Sequence, residues 1–165
     1  MANILCVDDE PHVVTLKRAI LESAGHAVTA CTSARDAIEK LRHNAYDAVV
    51  TDWRLGDANG RAVVQAAKDH SSMPVVVVSG YVAEAFQAAE PLADLYLEKP
   101  VNPEELVTIV NELLKSQERD EEGQKRQGLR RRPSTGDGLR AKTRAVFFAS
   151  SWDREIETPD IQSGV

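Results

Sequence analysis

Residues 48–60 read Ala48-Val49-Val50-Thr51-Asp52-Trp53-Arg54-Leu55-Gly56-Asp57-Ala58-Asn59-Gly60. An apolar, β-branched run stops on a carboxylate, and a glycine-flanked loop follows. A run of this kind, bounded by turn residues, reads as a strand covered on both faces. Asp52 then sits at its carboxyl end. The rest of the chain repeats the design.

Upstream, Asn3–Val7 is a strand-like run ending in Asp8-Asp9-Glu10. Val13, Leu16, Ile20 and Ala24 then recur at helical spacing, as an inner helix face, and Gly25 is a stop signal. His26–Cys31 reads as a second strand. Ser33 can cap a helix with Ala34, Ala37, Ile38 and Leu41 on its apolar face. Tyr46–Thr51 is the third strand, followed after Gly60 by a helix through Val63, Val64 and Ala67. Pro74–Val78 is a fourth strand, almost purely valine. A weak alanine-rich helix is expected from about Val82 to Ala89, closed by Pro91. Leu95–Glu98 is a short fifth strand. Asn102-Pro103-Glu104-Glu105 starts a last helix, with a cap residue, an early proline and acids at the positive dipole end. Its inner face is Leu106, Ile109, Val110, Leu113 and Leu114. Five strand–helix repeats predict an α/β fold, a (βα)5 doubly wound parallel five-stranded sheet of order 2-1-3-4-5, flavodoxin-like.

The chain has 165 residues and a net charge of −6. Residues 1–115 carry 10 Lys/Arg against 17 Asp/Glu, whereas residues 116–165 carry 10 against 9. The front part is therefore a poor nonspecific nucleic-acid binder. Its two cysteines, Cys6 and Cys31, lie in apolar runs without metal or redox spacing and read as reduced core residues. Nothing resembles a signal peptide or a membrane span, so a cytoplasmic location is expected. The division expected is one domain over 1–116 and a charged, mostly disordered tail over 117–165. Within the tail, Arg130-Arg131-Arg132 is a basic run. Ala145–Ala149, with Val-Phe-Phe at its centre, is the apolar patch; it could dock on the domain, meet a partner or form a lone strand.

The polar residues fall at strand ends: Asp8 and Asp9 after strand one, Asp52 after strand three, Ser79-Gly80 after strand four, Lys99-Pro100 after strand five. In an open parallel sheet, ligands bind at that edge, where the strand order reverses. Asp8, Asp9 and Asp52 would converge there and repel one another, which a hard divalent cation such as Mg²⁺ relieves. Lys99 would bring positive charge and Ser79 a hydroxyl. Such a set suits phosphoryl transfer to Asp52, giving an acyl phosphate. Taken singly, the acids could cap a helix or a turn and Lys99-Pro100 could be a plain strand exit. Their joint placement on successive strand ends argues otherwise. No His cluster has ligand spacing, Val-Ser-Gly-Tyr is not a nucleophile elbow, and Gly-Asp-Ala-Asn-Gly lacks the end of a P-loop.

These residues resemble the receiver domain of two-component response regulators, over residues 3 to about 115. The resemblance implies that Asp52 is the phosphoacceptor, served by Lys99 and Ser79. It implies that Asp9, Asp52 and the backbone carbonyl of Arg54 bind Mg²⁺, with Asp8 acting through water, and that the peptide before Pro100 is cis. Ser79 and Tyr96 match the switch positions that change the face of the fourth helix, fifth strand and fifth helix. The implied partners are a sensor histidine kinase or phosphotransfer protein and a downstream protein effector. Neither a membrane nor nucleic acid is expected as a partner. No enzymatic activity is expected beyond the chain's own phosphorylation and dephosphorylation.

Three departures stand out. Gly56 replaces a frequent proline, so the loop is expected to be more mobile. The interval from Ser79 to Lys99 is two residues short of the common one, so the fourth-helix region is expected to be truncated or irregular. Arg54 and Tyr81 are bulky at positions that tune dephosphorylation, and are expected to shield the acyl phosphate. Rival functions are a phosphate sink or relay without its own output, and a tail that binds nucleic acid or a partner through Arg130–Arg132. A third is a Mg²⁺-dependent phosphohydrolase, against which stands Arg54 where a second Asp would be needed.

Overall fold

The computed structural model describes residues 1–56, 58–80, 92–128 and 146–147. In chain order the elements are β1 (Asn3–Val7), α1 (Pro11–Ser23), β2 (Ala27–Cys31), α2 (Ala34–His43), β3 (Ala48–Thr51), β4 (Arg54–Leu55) and β5 (Ala58–Asn59). They continue with α3 (Gly60–His70), β6 (Val75–Ser79), β7 (Leu95–Glu98), α4 (Pro103–Gly128) and β8 (Val146–Phe147). The main sheet runs β2-β1-β3-β6-β7-β8 with every neighbouring pair parallel. The five long strands keep the expected order, because β4 and β5 form a separate antiparallel hairpin behind Asp52.

Alternation along the strands sorts their side chains into two cores. Leu5, Val7, Val49, Val75, Val77 and Tyr96 face one side with Ala34, Ala37 and Leu41 of α2 and Val63, Val64 and Ala67 of α3. Ile4, Cys6, Val50, Val76, Val78, Leu95 and Leu97 face the other with Val14 and Leu21 of α1 and Leu106 and Val110 of α4. Full burial of each such aliphatic side chain is worth about 1.5–3 kcal/mol, which is why the valine-rich strands hold the centre. Ser33 caps α2 as expected: its side chain accepts the Asp36 N–H at 3.1 Å. Asn102 does the same for Glu104 at 2.9 Å in front of α4. Gly25 ends α1 with φ +88°, in the left-handed region open to glycine.

Three features differ from the sequence pattern. The inner stripe of α1 is Val14, Lys17 and Leu21, not Val13, Leu16, Ile20 and Ala24; Leu16 is 60 % exposed. The helix is rotated by about one residue, roughly 100°, because Lys17 finds a buried carboxylate to pair with. Helix α4 continues to Gly128, so it crosses the boundary drawn at residue 116 into the segment assigned to the tail. Its continuation, Gln117-Glu118-Arg119-Asp120-Glu121-Glu122, is rich in residues that favour helix without needing a core. Lastly, the sheet has a sixth strand: Val146 and Phe147 pair with Leu95 and Tyr96. The apolar tail patch thus meets the β7 edge, across a connection long enough for a parallel crossover. The helix expected over Val82–Ala89, Pro91, Tyr81, Asp57 and the Arg130–Arg132 run lie outside the described residues.

Cys6 and Cys31 are free and buried, and burial first of all pushes both thiols up to about 12. They are core residues. Among the described residues, no helix is long and apolar enough to cross a membrane.

Candidate functional site

The carboxyl ends of β1, β3 and β7 bring Asp8, Asp52 and Lys99 together. Parallel pairing sets their level: the Asp8 N–H donates to the Cys31 carbonyl at 3.1 Å, and the Asp52 N–H to the Val7 carbonyl at 2.9 Å. The Lys99 N–H continues the ladder onto Ser79 at 3.1 Å, directly before the cis Lys99–Pro100 peptide. Ser79 is wholly buried at the end of β6.

The Lys99 ammonium donates to Asp52 Oδ2 at 2.5 Å and to Asp8 Oδ2 at 3.1 Å. Asp52 Oδ1 accepts the Arg54 N–H at 3.1 Å. The capping alternative is therefore half true of Asp52: one oxygen shapes the turn and the other faces the lysine. Glu10, the residue preceding α1, makes no side-chain cap. The acids after β1 are thus available to the pocket. Asp8 is fully buried and Asp9 is exposed. Oxygen atoms of Asp8, Asp9 and Asp52 all lie within 4.8 Å of one another. An all-carboxylate set of this size fits a hard cation such as Mg²⁺ far better than a soft one.

Sequence reasoning missed Lys17. Its ammonium donates to Asp8 Oδ2 at 2.7 Å, with 7 % of its side chain exposed and none of the aspartate's. Burial by itself would push the Asp8 carboxyl up, but Lys17, the Glu10 N–H and Lys99 together hold it below the ordinary aspartate value. Burial likewise opposes the charge on Lys99, yet its bonds to Asp52 and Asp8 raise it above the ordinary lysine value. Both groups are thus ionised near neutrality. The signal for Lys17 was present in the Val14-Lys17-Leu21 spacing, but the more apolar stripe beside it masked it.

Short paired segments flank Gly56 in the loop after Asp52. Arg54–Leu55 and Ala58–Asn59 pair as a hairpin, and Trp53 and Leu55 are buried. The Gly60 N–H donates to the Trp53 carbonyl at 2.6 Å. A Cβ on Gly60 would stand 2.1 Å from the Asp52 carbonyl oxygen, so this close approach demands glycine. Tyr96 is buried, 1 % exposed, and its hydroxyl accepts the Ala93 N–H at 3.3 Å.

Comparison with known proteins agrees with this geometry. The family model for the response regulator receiver domain matches residues 4–111. Response regulator SaeR of Staphylococcus aureus is 33 % identical over 117 residues, 69 % of this chain and 51 % of its own length. The chain thus spans about half the length of the curated relatives it matches. Among solved structures, a CheY-like receiver domain protein from Methanospirillum hungatei superposes with TM-score 0.68 at 28 % identity, covering 73 % of this chain and 98 % of that one. A receiver protein from Sinorhizobium medicae gives TM-score 0.64 at 35 % identity, over 68 % and 94 % of the two chains. With the sheet order and the strand-end residues already in place, these matches establish that the chain belongs to the receiver domains of two-component response regulators.

Proposed function

We propose that this receiver takes a phosphoryl group from a histidine kinase or phosphotransfer protein onto Asp52. The observation that carries the reading is the meeting of three carboxylates within 4.8 Å with Lys99 at 2.5 Å from Asp52. An Asp52 oxygen attacks phosphorus as the P–N bond of the phosphohistidine breaks, and the imidazole leaves with the bonding electrons and takes up a proton. Asp9, Asp52 and the Arg54 carbonyl would hold Mg²⁺, with Asp8 behind them, and the ion would neutralise charge on the phosphoryl oxygens. Lys99 exchanges its carboxylate partner for a phosphoryl oxygen, and Ser79 donates its hydroxyl to another.

The switch follows from those moves. Lys99 directly follows β7, the strand that carries Tyr96, so a shift at the phosphorylated end reaches the strand with the aromatic. The response is a change in a protein-binding face around β7 and α4, read by a downstream effector. The chemistry proposed for this chain is its own phosphorylation and dephosphorylation.

The test is incubation with acetyl phosphate and Mg²⁺, read by intact mass, with Asp52→Asn as control. One added phosphoryl group that requires Mg²⁺ and is absent from the variant supports the reading. A folded, Mg²⁺-replete protein that stays unmodified refutes it.

A further inference from the structure

Lysine is almost never fully buried without a partner, and Lys17 is 6 % exposed on the inner stripe of α1 between Val14 and Leu21. Its partner is a carboxylate of the acidic pocket. Asp8 Oδ2 accepts both Lys17 at 2.7 Å and Lys99 at 3.1 Å, while Asp8 Oδ1 accepts the Glu10 N–H at 3.1 Å. Both oxygens of Asp8 are therefore engaged from the protein side, and little of its capacity remains for an ion or an ion-bound water. The three carboxylates face two ammonium groups, a formal balance of −1 where Lys99 alone would leave −2.

Building on the Mg²⁺ reading above, we propose that Lys17 is a resident second cation of this pocket. It neutralises Asp8 from behind, weakens the pocket's hold on divalent ions, and keeps the carboxylates assembled when no ion is bound. The site would then load Mg²⁺ only at higher free concentrations than an otherwise equal pocket with an apolar residue at position 17. A unit charge a few ångström from a bound cation changes its affinity by about tenfold or more at the effective dielectric of a protein surface. The role is one of positioning and charge: Lys17 acts through Asp8.

The experiment is a Mg²⁺ titration of the full chain, read by the fluorescence of Trp53, which follows Asp52 directly and is 8 % exposed. The chain has two tryptophans, so a Trp152→Phe background leaves Trp53 as the reporter. Lys17→Met keeps the stem and removes the charge. Lys17→Gln removes the charge but keeps an N–H donor for Asp8, and is the variant to read if Lys17→Met does not fold. Lys17→Arg keeps the charge.

The expected result is a Kd for Mg²⁺ about tenfold lower in the neutral variants and nearly unchanged in Lys17→Arg. The neutral variants should also have a lower melting temperature in EDTA and a larger recovery on adding Mg²⁺. A merely structural lysine predicts the opposite sign, since damage to the pocket loosens binding. Unchanged or weaker Mg²⁺ binding by a folded neutral variant overturns the proposal while leaving the Mg²⁺ site intact. If neither wild type nor variants respond to Mg²⁺, the metal reading itself falls, and this inference with it.

Discussion

The two ends of the sheet use the same chemistry for opposite purposes. At the amino end, Lys68 pairs with Asp94 at 2.5 Å, and Asp94 also accepts the Val75 N–H at 2.7 Å. Both partners are part-exposed and their charges balance. The pair anchors the start of β6 to the approach of β7. At the carboxyl end, Lys17, Lys99, Asp8 and Asp52 make the same kind of contact, but Lys17, Asp8 and Asp52 are more deeply buried and Asp9 leaves an excess of negative charge. A balanced pair needs nothing more. An unbalanced, buried cluster is poised for an incoming cation or a charged group. The count and burial of charges, not the presence of ion pairs, separates scaffold from site.

The comparison can be broken first at Lys17. Removing one partner of a buried pair leaves an uncompensated charge, at a cost of about 3–5 kcal/mol. Because Lys99 still touches Asp8, Lys17→Met should lose about 3 kcal/mol in urea denaturation without divalent ions. A loss no larger than that from Asp94→Asn would erase the difference between the ends. Asp94→Asn itself should lose about 1 kcal/mol by the same assay, since an amide oxygen still accepts the Val75 N–H and solvent screens the lysine.

A smaller effect lies in pH. The folded state holds the Asp8 carboxyl below its ordinary value of 3.8. Its contribution to stability is thus complete above that value and declines as pH falls through the lower, folded one. Stability measured from pH 6 down to pH 2, wild type against Asp8→Asn, should show the gap between them closing below about pH 4. A gap independent of pH would mean that Asp8 is not ionised in the fold. The smallest effect belongs to a pair away from both ends: Arg18 and Glu22 are 51 % and 42 % exposed. Arg18→Ala should change stability by no more than about 0.5 kcal/mol, which thermal denaturation can check.

Much of this was legible in the sequence because it rests on local rules. Ser33 and Asn102 announce their helices through a side-chain oxygen that caps N–H groups close by in sequence. The valine run at residues 75–78 can only be a strand buried on both faces. The strand-end carboxylates stand out because each interrupts an apolar run. Lys17 was not legible, since a periodicity count treats lysine as polar and assigns it to solvent. Only the arrival of Asp8 at the same depth makes its burial affordable. The tail was half legible: Val-Phe-Phe was visibly apolar among charges, but nothing local names the β7 edge as its partner. The continuation of α4 past residue 116 escaped notice for a related reason, because a helix without an apolar stripe leaves no periodic trace.

By itself, then, the sequence determined the order of the five long parallel strands, the strand residues that face each core and the identity of the residues at the sheet's carboxyl end. Those follow from alternation, helical spacing and turn chemistry, all of which act over a few residues. Tertiary structure alone decided which face α1 buries, how Asp8 divides its oxygens between two lysines, and where the Val146–Phe147 strand pairs. Each of these depends on groups far apart in the chain, and burial makes their charges and hydrogen bonds answer to one another.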